Sequence, residues 1–354
     1  MRSWNFYLKA VVIGVFVLGC NSKQSKELLE VMPFLQQQTS PATHSIRGIS
    51  VVDSNFIWLS GAKGTIVKTE DGGQKWELLA SPDGDSLDFR SIEAFNDQEA
   101  IVVSAGFPAR IYKTNTAGEK WELVYENKDS AAFMNSLAFK NRKEGVVVGD
   151  QLEGRHLILK TIDGGSTWQR VDSTRIPKPL ENENGFAASG SCIAIKDNKY
   201  FIGLGGGHSR VFSSKDGSDW SANESNLKTD KNSSGIYSIS SGRNYLMAVG
   251  GDYTEVDSTQ KAVISSDGIN WLEANGLLSG YRSVVDYSEA CDCWLAGGSN
   301  GVEVSFTNGK EWKKILDQDI NTLRFAPKAM IAIAADKNGG IFTISLNGSA
   351  LMKD

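Results

Sequence analysis

Seven short hydrophobic segments of this chain align without gaps, and each reads polar, small, aliphatic. The polar residues are, in chain order, Arg47, Arg90, Asn135, Ser191, Tyr237, Arg282 and Asn321. Packing does not require a polar residue at this position. The planar fork of an arginine guanidinium pairs bidentately with carboxylates. The pattern therefore predicts a ring of polar groups in which Arg47, Arg90 and Arg282 bind an anion.

Further polar groups fall in connections that we expect beside this ring. Arg110 and Arg210 each end a glycine-containing loop between two strands, and Asp252–Tyr253 follows a pair of glycines in another loop. Glu183 lies in the long connection 172–189. Because glycine lets backbone approach a ligand closely, these loops are candidate binding loops. The arginines would hold the anion, and the acidic and tyrosine side chains would orient the rest of the ligand.

A turn motif recurs six times and must position these residues. It runs from Thr or Ser through Asp and Gly to Trp, and two copies, 114–121 and 305–312, lack the acid. Its defining residues are Asp71, Trp76, Trp121, Asp163, Trp168, Asp216, Trp220, Asp267, Trp271 and Trp312. An Asp carboxylate accepts backbone N–H groups and glycine supplies positive φ, so each copy predicts a hairpin corner. The motif resembles the Asp-box, or BNR, repeat, and we interpret these Asp and Trp residues as structural.

The spacing of the tryptophans predicts the architecture. They lie 41 to 52 residues apart, with several short strands in each interval. That period is typical of a β-propeller with four-stranded antiparallel blades. A seventh unit after Trp312 lacks its last strand, and we expect about Leu28–Phe34 to supply it from the N-terminus. The prediction is an all-β, seven-bladed propeller that forms a single domain over residues 28–354.

Several runs outside the turn motif are more specific. They are 47–49, 88–90, 185–190, 250–253 and 280–283, with Arg47-Gly48-Ile49 and Gly280-Tyr281-Arg282-Ser283 among them. They resemble bacterial and plant propellers related to the photosystem II stability and assembly factors. The resemblance implies a non-enzymatic propeller that engages a membrane-protein precursor or an assembly intermediate.

The favoured hypothesis is therefore a binding and assembly scaffold. Its partner would be an envelope protein, an anionic peptide or a glycan bound at the arginine-lined channel mouth, and the scaffold would be a monomer. The alternative is that the arginines pair internally with Asp150, Asp252 and Glu183, since buried polar groups are normally satisfied within the protein.

A hypothesis of a different class is a glycoside hydrolase. Asp-box propellers include sialidases, which this chain resembles in its arginine cluster, tyrosine and acids. Tyr237, Glu183 and Asp252 would then be nucleophile, base and acid. Sialidases usually have six blades, and their Arg-Ile-Pro signature precedes the first Asp-box, whereas Arg175-Ile176-Pro177 follows the third copy.

The N-terminus has the pattern of a targeting segment. Arg2 and Lys9 precede the apolar run 10–18, which is too short to span a bilayer. The run ends in Val17-Leu18-Gly19-Cys20, which resembles the lipobox of bacterial lipoproteins. The resemblance implies a signal peptide over 1–19, lipidation at Cys20, and a tether over 20–27. We expect a bacterial envelope protein, with the outer membrane favoured; an ordinary signal peptide is the alternative.

Composition excludes some classes of function. The chain has 354 residues and a formal net charge of -5, and it carries no basic tract for nucleic acid. No phosphate-binding loop precedes a helix, and no His or Cys spacing fits a metal, so we expect no cofactor and no metal. The remaining cysteines, Cys192, Cys291 and Cys293, are expected to be buried free thiols, with a redox pair at 291 and 293 as the alternative.

Overall fold

Short strands joined by turns make up almost all of the chain. The computed structural model describes residues 33–347, all of which belong to one compact unit. The described part contains 28 strands and, as its only helical element, a 3₁₀ turn at Ser173–Arg175. Within it no helix is long and apolar enough to cross a membrane. The predicted signal peptide, Cys20 and the tether lie outside the described residues.

The strands form seven four-stranded antiparallel sheets, which are the blades of a propeller. Blades 1 to 4 are β2 (Ile46–Val51), β3 (Ile57–Gly61), β4 (Ile66–Thr69), β5 (Glu77–Leu78); β6 (Asp88–Ala94), β7 (Ala100–Ala105), β8 (Ala109–Thr114), β9 (Glu122–Asn127); β10 (Met134–Phe139), β11 (Gly145–Leu152), β12 (Arg155–Thr161), β13 (Gln169–Arg170); and β14 (Ile193–Lys196), β15 (Lys199–Gly203), β16 (Arg210–Ser214), β17 (Ser221–Glu224). Blades 5 to 7 are β18 (Ser234–Ser241), β19 (Leu246–Asp252), β20 (Gln260–Ser265), β21 (Leu272–Leu278); β22 (Val284–Ser288), β23 (Cys293–Gly298), β24 (Gly301–Ser305), β25 (Lys313–Leu316); and β26 (Thr322–Phe325), β27 (Ile331–Ala335), β28 (Ile341–Ser345), β1 (Phe34–Gln37).

The ring is closed by the N-terminal strand, as predicted. β1 pairs with β28 in the register Phe34↔Ser345 to Gln37↔Phe342. This strand lies later in the chain than the expected Leu28–Phe34, and the two ranges share only Phe34. Pro33 cannot donate a ladder hydrogen bond and precedes the strand. The all-β, seven-bladed prediction is thus confirmed, with the closing strand shifted toward the C-terminus.

Apolar side chains pack between neighbouring blades rather than within one. Ile49 and Val67 of blade 1 meet Ile333 and Ile341 of blade 7 in one buried cluster. Trp58 of blade 1 packs with Phe89 and other side chains of blade 2 in the next cluster. Because each blade is covered on both faces, its strands read as continuous hydrophobic runs rather than as strict alternations.

The Asp-box turns have the hydrogen bonds that their composition predicts. Asp163 Oδ1 accepts the N–H of Thr167 at 3.0 Å, and Thr161 Oγ1 accepts the N–H of Gly165 at 3.0 Å. The indole of Trp168 is buried and donates to the carbonyl of Gly165. In one of the two copies without an acid, Thr116 Oγ1 accepts the N–H of Lys120 at 3.0 Å. A hydroxyl therefore replaces the carboxylate and keeps the turn.

Two of the three cysteines in the described part of the chain differ from the favoured expectation. Cys291 and Cys293 form a disulfide, whereas we expected free thiols. They lie in and just after the turn between β22 and β23, and this turn brings the two sulfur atoms together. Cys192 is buried and free, as expected. Since pairing depends on the geometry of the turn, sequence separation alone did not decide it.

Candidate functional site

A β-bulge occurs at four of the polar positions that the sequence alignment singled out. The ladder between the first and second strands shifts register at Arg47 in blade 1, Arg90 in blade 2, Asn135 in blade 3 and Tyr237 in blade 5. A bulge adds one residue to one strand and re-aims its side chain. Arg47, Arg90 and Tyr237 consequently line a common cavity at one mouth of the central channel.

The floor of this cavity is a segment that crosses the channel. The connection between blades 3 and 4 ends in Ala187–Ser191, which we call the plug. Ser136 of blade 3 donates to Gly190 O at 2.6 Å, Ser189 donates to Ser283 O of blade 6 at 2.7 Å, and Thr322 of blade 7 donates to Ser189 O. The plug is thus hydrogen-bonded to blades on several sides of the ring.

The plug also engages both arginines. Arg47 Nη1 donates to Ala188 O at 2.9 Å, and Arg90 Nη1 donates to Ala187 O at 3.3 Å. These bonds hold the two guanidinium groups at the rim of the cavity, one beside the other. The two carbonyl oxygens therefore position the cations, but they carry no formal charge and do not neutralise them.

The cavity has a volume of about 350 Å³ and an aromatic wall. Phe186 stacks on Tyr237 with ring centroids 3.9 Å apart, and Tyr281 meets Tyr237 edge-on at 4.8 Å. Tyr253 also lines the cavity and is 56% exposed. Offset aromatic faces offer apolar contact with defined geometry. The cavity thus combines a cationic rim with an apolar aromatic side.

Arg47 and Arg90 differ in whether a carboxylate of the protein neutralises their charge. Arg90 Nε donates to Asp88 Oδ2 at 2.7 Å, which gives this cation a carboxylate partner. Among the described residues Arg47 has no carboxylate within ion-pair distance. Burial, and after it the charge of Arg90, lowers the pKa of Arg47. Its guanidinium carries five N–H donors and makes one hydrogen bond, so it keeps capacity for an anion.

Arg282 has a different environment from the other two. Its side chain is fully buried, and it forms a salt bridge with Glu303 and a 2.5 Å hydrogen bond to Asn300 Oδ1. It also donates to Tyr281 O and Ser279 Oγ. No bulge occurs here because β22 begins only at Val284. The structure thus does not bring Arg282 to the cavity with Arg47 and Arg90, although its chain position matches theirs.

The arginines of the loops are also neutralised within the protein. Arg210 donates to both oxygens of Glu183, at 2.7 and 2.5 Å. Burial alone would raise the pKa of Glu183, but hydrogen bonds from Arg210 and His156 lower it to about 2. Arg110 lies between Asp83 and Glu126. For these residues the geometry matches the alternative of internal pairing, with Glu183 as one of the expected partners.

The remaining predicted residues are divided between the cavity and its surroundings. Tyr237 is buried, and its hydroxyl donates to Ser233 O at 2.7 Å. Asp252 accepts the N–H and hydroxyl of Thr254, and it lies 3.4 Å from Lys231 Nζ. Burial would raise the pKa of Asp252, but the bonds from Thr254 lead the effects that lower it to about 2. Tyr237 and its fellow candidate Tyr253 line the cavity, whereas Asp252 does not.

Sequence reasoning missed the plug, the bulges and the part that Phe186 and Tyr281 play in the aromatic wall. The run Ala187-Ala188-Ser189-Gly190-Ser191 was a signal for the plug, since only small side chains fit where several blades converge. Gly190 has φ 64°, and a Cβ there would lie 2.6 Å from Arg90 O. The bulges left no such signal, because an inserted residue changes the ladder without changing the composition. Within residues 33–347 no group of three His, Cys, Asp or Glu side chains could hold a metal.

The fold and the repeated turns define the class: this is a seven-bladed Asp-box β-propeller. The family that it resembles follows from comparison with known proteins. The family model for the photosynthesis system II assembly factor YCF48 matches residues 30–132. That range spans the closing strand and the first two blades, with Arg47 and Arg90. The resemblance predicted from the sequence is confirmed.

Solved structures of this family have the same fold. A structure described as YCF48 bound to D1 peptide is 16% identical, with a TM-score of 0.62, and the match covers 88% of this chain and 96% of that one. YCF48 from Cyanidioschyzon merolae is also 16% identical, with a TM-score of 0.63, and the match covers 88% and 98%. At this identity the similarity is evidence of a shared fold. A search of curated proteins gave no match.

Proposed function

We propose that this protein is a non-enzymatic scaffold that binds a partner protein through an anionic group, at the cavity between Arg47, Arg90 and the aromatic wall. The observation that carries the proposal is Arg47: a partly buried guanidinium with one hydrogen bond to a carbonyl and no carboxylate partner among the described residues. Arg47 and Arg90 are two cations side by side, and a bound anion would offset the repulsion between them.

The chemistry of the cavity narrows the ligand to a carboxylate that adjoins an apolar side chain. The two guanidinium groups provide donors for a C-terminal or side-chain carboxylate. Phe186, Tyr237 and Tyr253 provide an apolar surface in the same cavity. Asp319 also lines the cavity and is paired with Lys337 at 2.9 Å, so its charge is offset. An acidic peptide fits this combination better than an inorganic anion.

The family resemblance supports a protein partner. The solved YCF48 complex contains a D1 peptide, which is a protein ligand. By analogy this chain would bind a segment of a membrane-protein precursor or an assembly intermediate. The analogy concerns the class of partner only, because at 16% identity the solved complex is evidence of a shared fold and not of a shared ligand.

We further propose that the propeller is held in the bacterial envelope by a lipid on Cys20. The support is the sequence Val17-Leu18-Gly19-Cys20 after a short apolar run. The tether over 20–27 would let the propeller reach a membrane-bound partner, with the outer membrane as the favoured location.

Partner capture from envelope extract tests the binding proposal. The wild type, an Arg47→Gln/Arg90→Gln double variant and an Arg243→Ala control are used as bait, and bound proteins are identified by mass spectrometry. Arg243 is exposed in the turn between β18 and β19 and does not line the cavity, so it controls for loss of positive charge. We expect a partner that the wild type and the control retain and the double variant loses.

The captured partner then provides a direct measurement. Two forms of a peptide from its acidic or C-terminal segment are titrated into the protein. One form has the free carboxylate, and the other has an amide in its place. We expect about tenfold weaker binding for the amide form, because a charge-assisted pair is lost. Identical partner sets for all three baits, or equal affinity of both peptides, would contradict the proposal.

The lipid anchor has its own test. The full chain is expressed with a clickable fatty acid, and Cys20→Ala is compared with Cys192→Ala. We expect label and membrane fractionation in the wild type and in Cys192→Ala, and neither in Cys20→Ala. Label that persists in Cys20→Ala would exclude this residue as the attachment site.

No observation favours the glycosidase hypothesis. Its three residues do not share a cavity, because Tyr237 lines the channel mouth whereas Glu183 and Asp252 are engaged by Arg210 and Thr254. A glycoside hydrolase of this kind needs its catalytic groups on either side of the glycosidic bond that is cleaved, and these residues do not meet that requirement.

A further inference from the structure

The cavity between Arg47, Arg90 and the aromatic wall, which we call the upper cavity, contains a hydroxyl group without a partner. Tyr281 lines this cavity and is only 8% exposed. Its ring packs edge-on against Tyr237, whereas its hydroxyl has no hydrogen-bond partner among the described residues. That hydroxyl is not one of the polar atoms that lie fully buried without a partner. It is therefore open to the cavity, where a ligand can reach it.

The hydroxyl of Tyr281 is a hydrogen-bond donor at neutral pH. Burial is the largest effect on its ionisation and raises the pKa of Tyr281, while the charge of Arg47 lowers this pKa and that of Asp319 raises it. The hydroxyl therefore stays protonated, and it lies within electrostatic reach of both charges. Since a largely buried polar group normally has a hydrogen-bond partner, an acceptor on a ligand would complete this one.

An acidic group shares the upper cavity with these residues. Asp319 lines it, and within the described part of the chain no ion pair joins Asp319 to Arg47 or Arg90. Its partner is Lys337, which contacts Oδ2 at 2.9 Å, is 63% exposed and does not line the cavity. That pair offsets the charge, but an exposed pair contributes little energy and leaves Oδ1 without a donor. Asp319 therefore keeps an acceptor for a ligand.

Arg47 and Asp319 are thus opposite charges that line one cavity without contacting each other. Charged groups withdrawn from water need a partner of opposite charge or hydrogen bonds that replace the water. A ligand with a carboxylate alone would satisfy Arg47 and leave Asp319 Oδ1 as it is. The volume of about 350 Å³ lies in the range of small-ligand sites, so one short group with both charges fits.

We infer that the group bound in the upper cavity is dipolar: its carboxylate pairs with Arg47 and accepts the hydroxyl of Tyr281, and an ammonium group a few bonds away donates to Asp319. This inference rests on the proposed function and defines its ligand more narrowly. Two sources have the required chemistry. One is the C-terminal residue of a partner protein, where that residue is lysine; the other is a free amino acid.

Methyl NMR on the full chain with small probes tests the inference. Alanine methyl groups are labelled, and shifts are expected at Ala187 and Ala188, which line the cavity, but not at Ala100, which is buried between blades 1 and 2. N-acetyl-norleucine carries a carboxylate alone, N-acetyl-lysine adds a side-chain ammonium, and norleucine adds an α-ammonium. At least one of the two dipolar probes should bind about tenfold more tightly than N-acetyl-norleucine, because it adds a charge-assisted hydrogen bond.

The preferred probe identifies the source of the ligand. Tighter binding of N-acetyl-lysine indicates a C-terminal lysine on a partner protein, and tighter binding of norleucine indicates a free amino acid. The amide of the preferred probe, which has no carboxylate, should bind at least about tenfold more weakly than the probe itself.

Variants assign the two ends of the probe. Asp319→Asn should abolish the advantage of the dipolar probe over N-acetyl-norleucine. Asp230→Asn removes the same charge at an exposed residue that does not line the cavity, and it should keep that advantage. Tyr281→Phe keeps the ring and should weaken every carboxylate probe severalfold, because one hydrogen bond is lost. The methyl signal of Ala100 reports whether each variant is folded.

The inference and the proposed function fail in different ways. Equal binding of the three carboxylate probes, an advantage that Asp319→Asn retains, or unchanged binding by Tyr281→Phe would overturn the inference and leave the proposed function standing. No shift at Ala187 and Ala188 with any carboxylate probe would overturn both.

Discussion

Arg47 and Arg282 occupy equivalent positions in their blades, yet their surroundings give them different roles. Arg47 donates one hydrogen bond to a carbonyl oxygen and lines the cavity. Arg282 is instead bonded to Glu303, Asn300 and Ser279. A buried ion pair is sensitive to the loss of one partner, because the other charge is left without compensation. An exposed pair contributes much less, because water and salt screen it.

This contrast yields a first prediction at the scale of the residue. Glu303→Gln leaves the guanidinium of Arg282 buried without a carboxylate, and we expect a loss of about 3 kcal/mol in the free energy of unfolding. Glu273→Gln breaks the exposed pair with Lys261, and we expect a loss below about 1 kcal/mol. Urea unfolding of both variants measures the difference. Equal losses would contradict the structural role given to Arg282.

A second residue-scale prediction concerns the turn acids. Asp267 accepts backbone N–H groups from Asn270 and Ile269, both at 2.8 Å. These bonds hold the pKa of Asp267 well below its usual range. Asp267→Ala should therefore cost about 1–2 kcal/mol at neutral pH, as for the loss of a capping acid.

The pH dependence of that loss follows from the lowered pKa. A depressed pKa means that the contribution is present above the ordinary value of 3.8 and disappears as the pH falls toward the folded-state value. Urea unfolding at pH 7 and pH 3 should therefore show a smaller gap between wild type and Asp267→Ala at pH 3. Asp85→Ala, at an exposed position, serves as the control. A gap that widens on acidification would show that the carboxylate is not the stabilising form.

At the scale of the element, bulges and the plug build the upper cavity. A bulge re-aims Arg47, Arg90 and Tyr237 without breaking their strands. The plug then fixes the two arginines with its carbonyl oxygens and separates the two mouths of the channel. Its small residues are necessary, because larger side chains would meet the inner strands.

Gly190 tests the plug. A methyl group there would lie 2.6 Å from Arg90 O at a φ of 64°, so Gly190→Ala combines backbone strain with a clash. We expect a loss of at least about 3 kcal/mol in the free energy of unfolding. Gly84 has nearly the same φ, 60°, but nothing lies within 4 Å of its added Cβ. Gly84→Ala should cost only about 1 kcal/mol. Equal losses in the two variants would mean that the plug yields to the methyl group.

At the scale of the whole molecule, closure joins the two ends of the propeller. β1 covers the edge of β28, and Gln38 adds a backbone bond to Ile341 O and a side-chain bond to Thr343. An uncovered edge strand presents unpaired N–H and C=O groups and invites association with another chain.

The prediction at this scale concerns the effect of removing the closing strand, β1. A chain that starts at residue 39 should melt roughly 5 °C below one that starts at residue 33, because the backbone pairs of β1 are lost. It should also self-associate through the bared edge of β28. Calorimetry and analytical ultracentrifugation measure the two effects. Identical midpoints and a monomeric shorter chain would show that the ring does not depend on β1.

Most of the architecture could be predicted from the sequence, because it is repeated. The Asp-box turns at Asp71, Asp163, Asp216 and Asp267 depend on local hydrogen bonds and on glycine, and local chemistry is visible in a short stretch. Their period gave the blade number and the closure by an N-terminal strand. The position of that strand was wrong by several residues, since register depends on which backbone groups find partners.

The candidate site was predicted only in part. Arg47, Arg90, Tyr237 and Tyr253 do line one cavity, whereas Arg282, Arg210 and Arg110 have carboxylate partners from the protein itself. Each of those partners is distant in sequence, and no short pattern indicates which carboxylate lies within reach. The disulfide at Cys291 likewise depended on the path of a turn.

The sequence by itself determined the repeat unit, the number of units and the polar residue at the same position of each unit, because each is visible in a short stretch of chain. Only the tertiary structure decided which of those polar groups keep a free charge and where the plug lies. The physical reason is that neutralisation depends on distances of a few ångströms between residues from different blades, and the packing of the closed ring sets those distances.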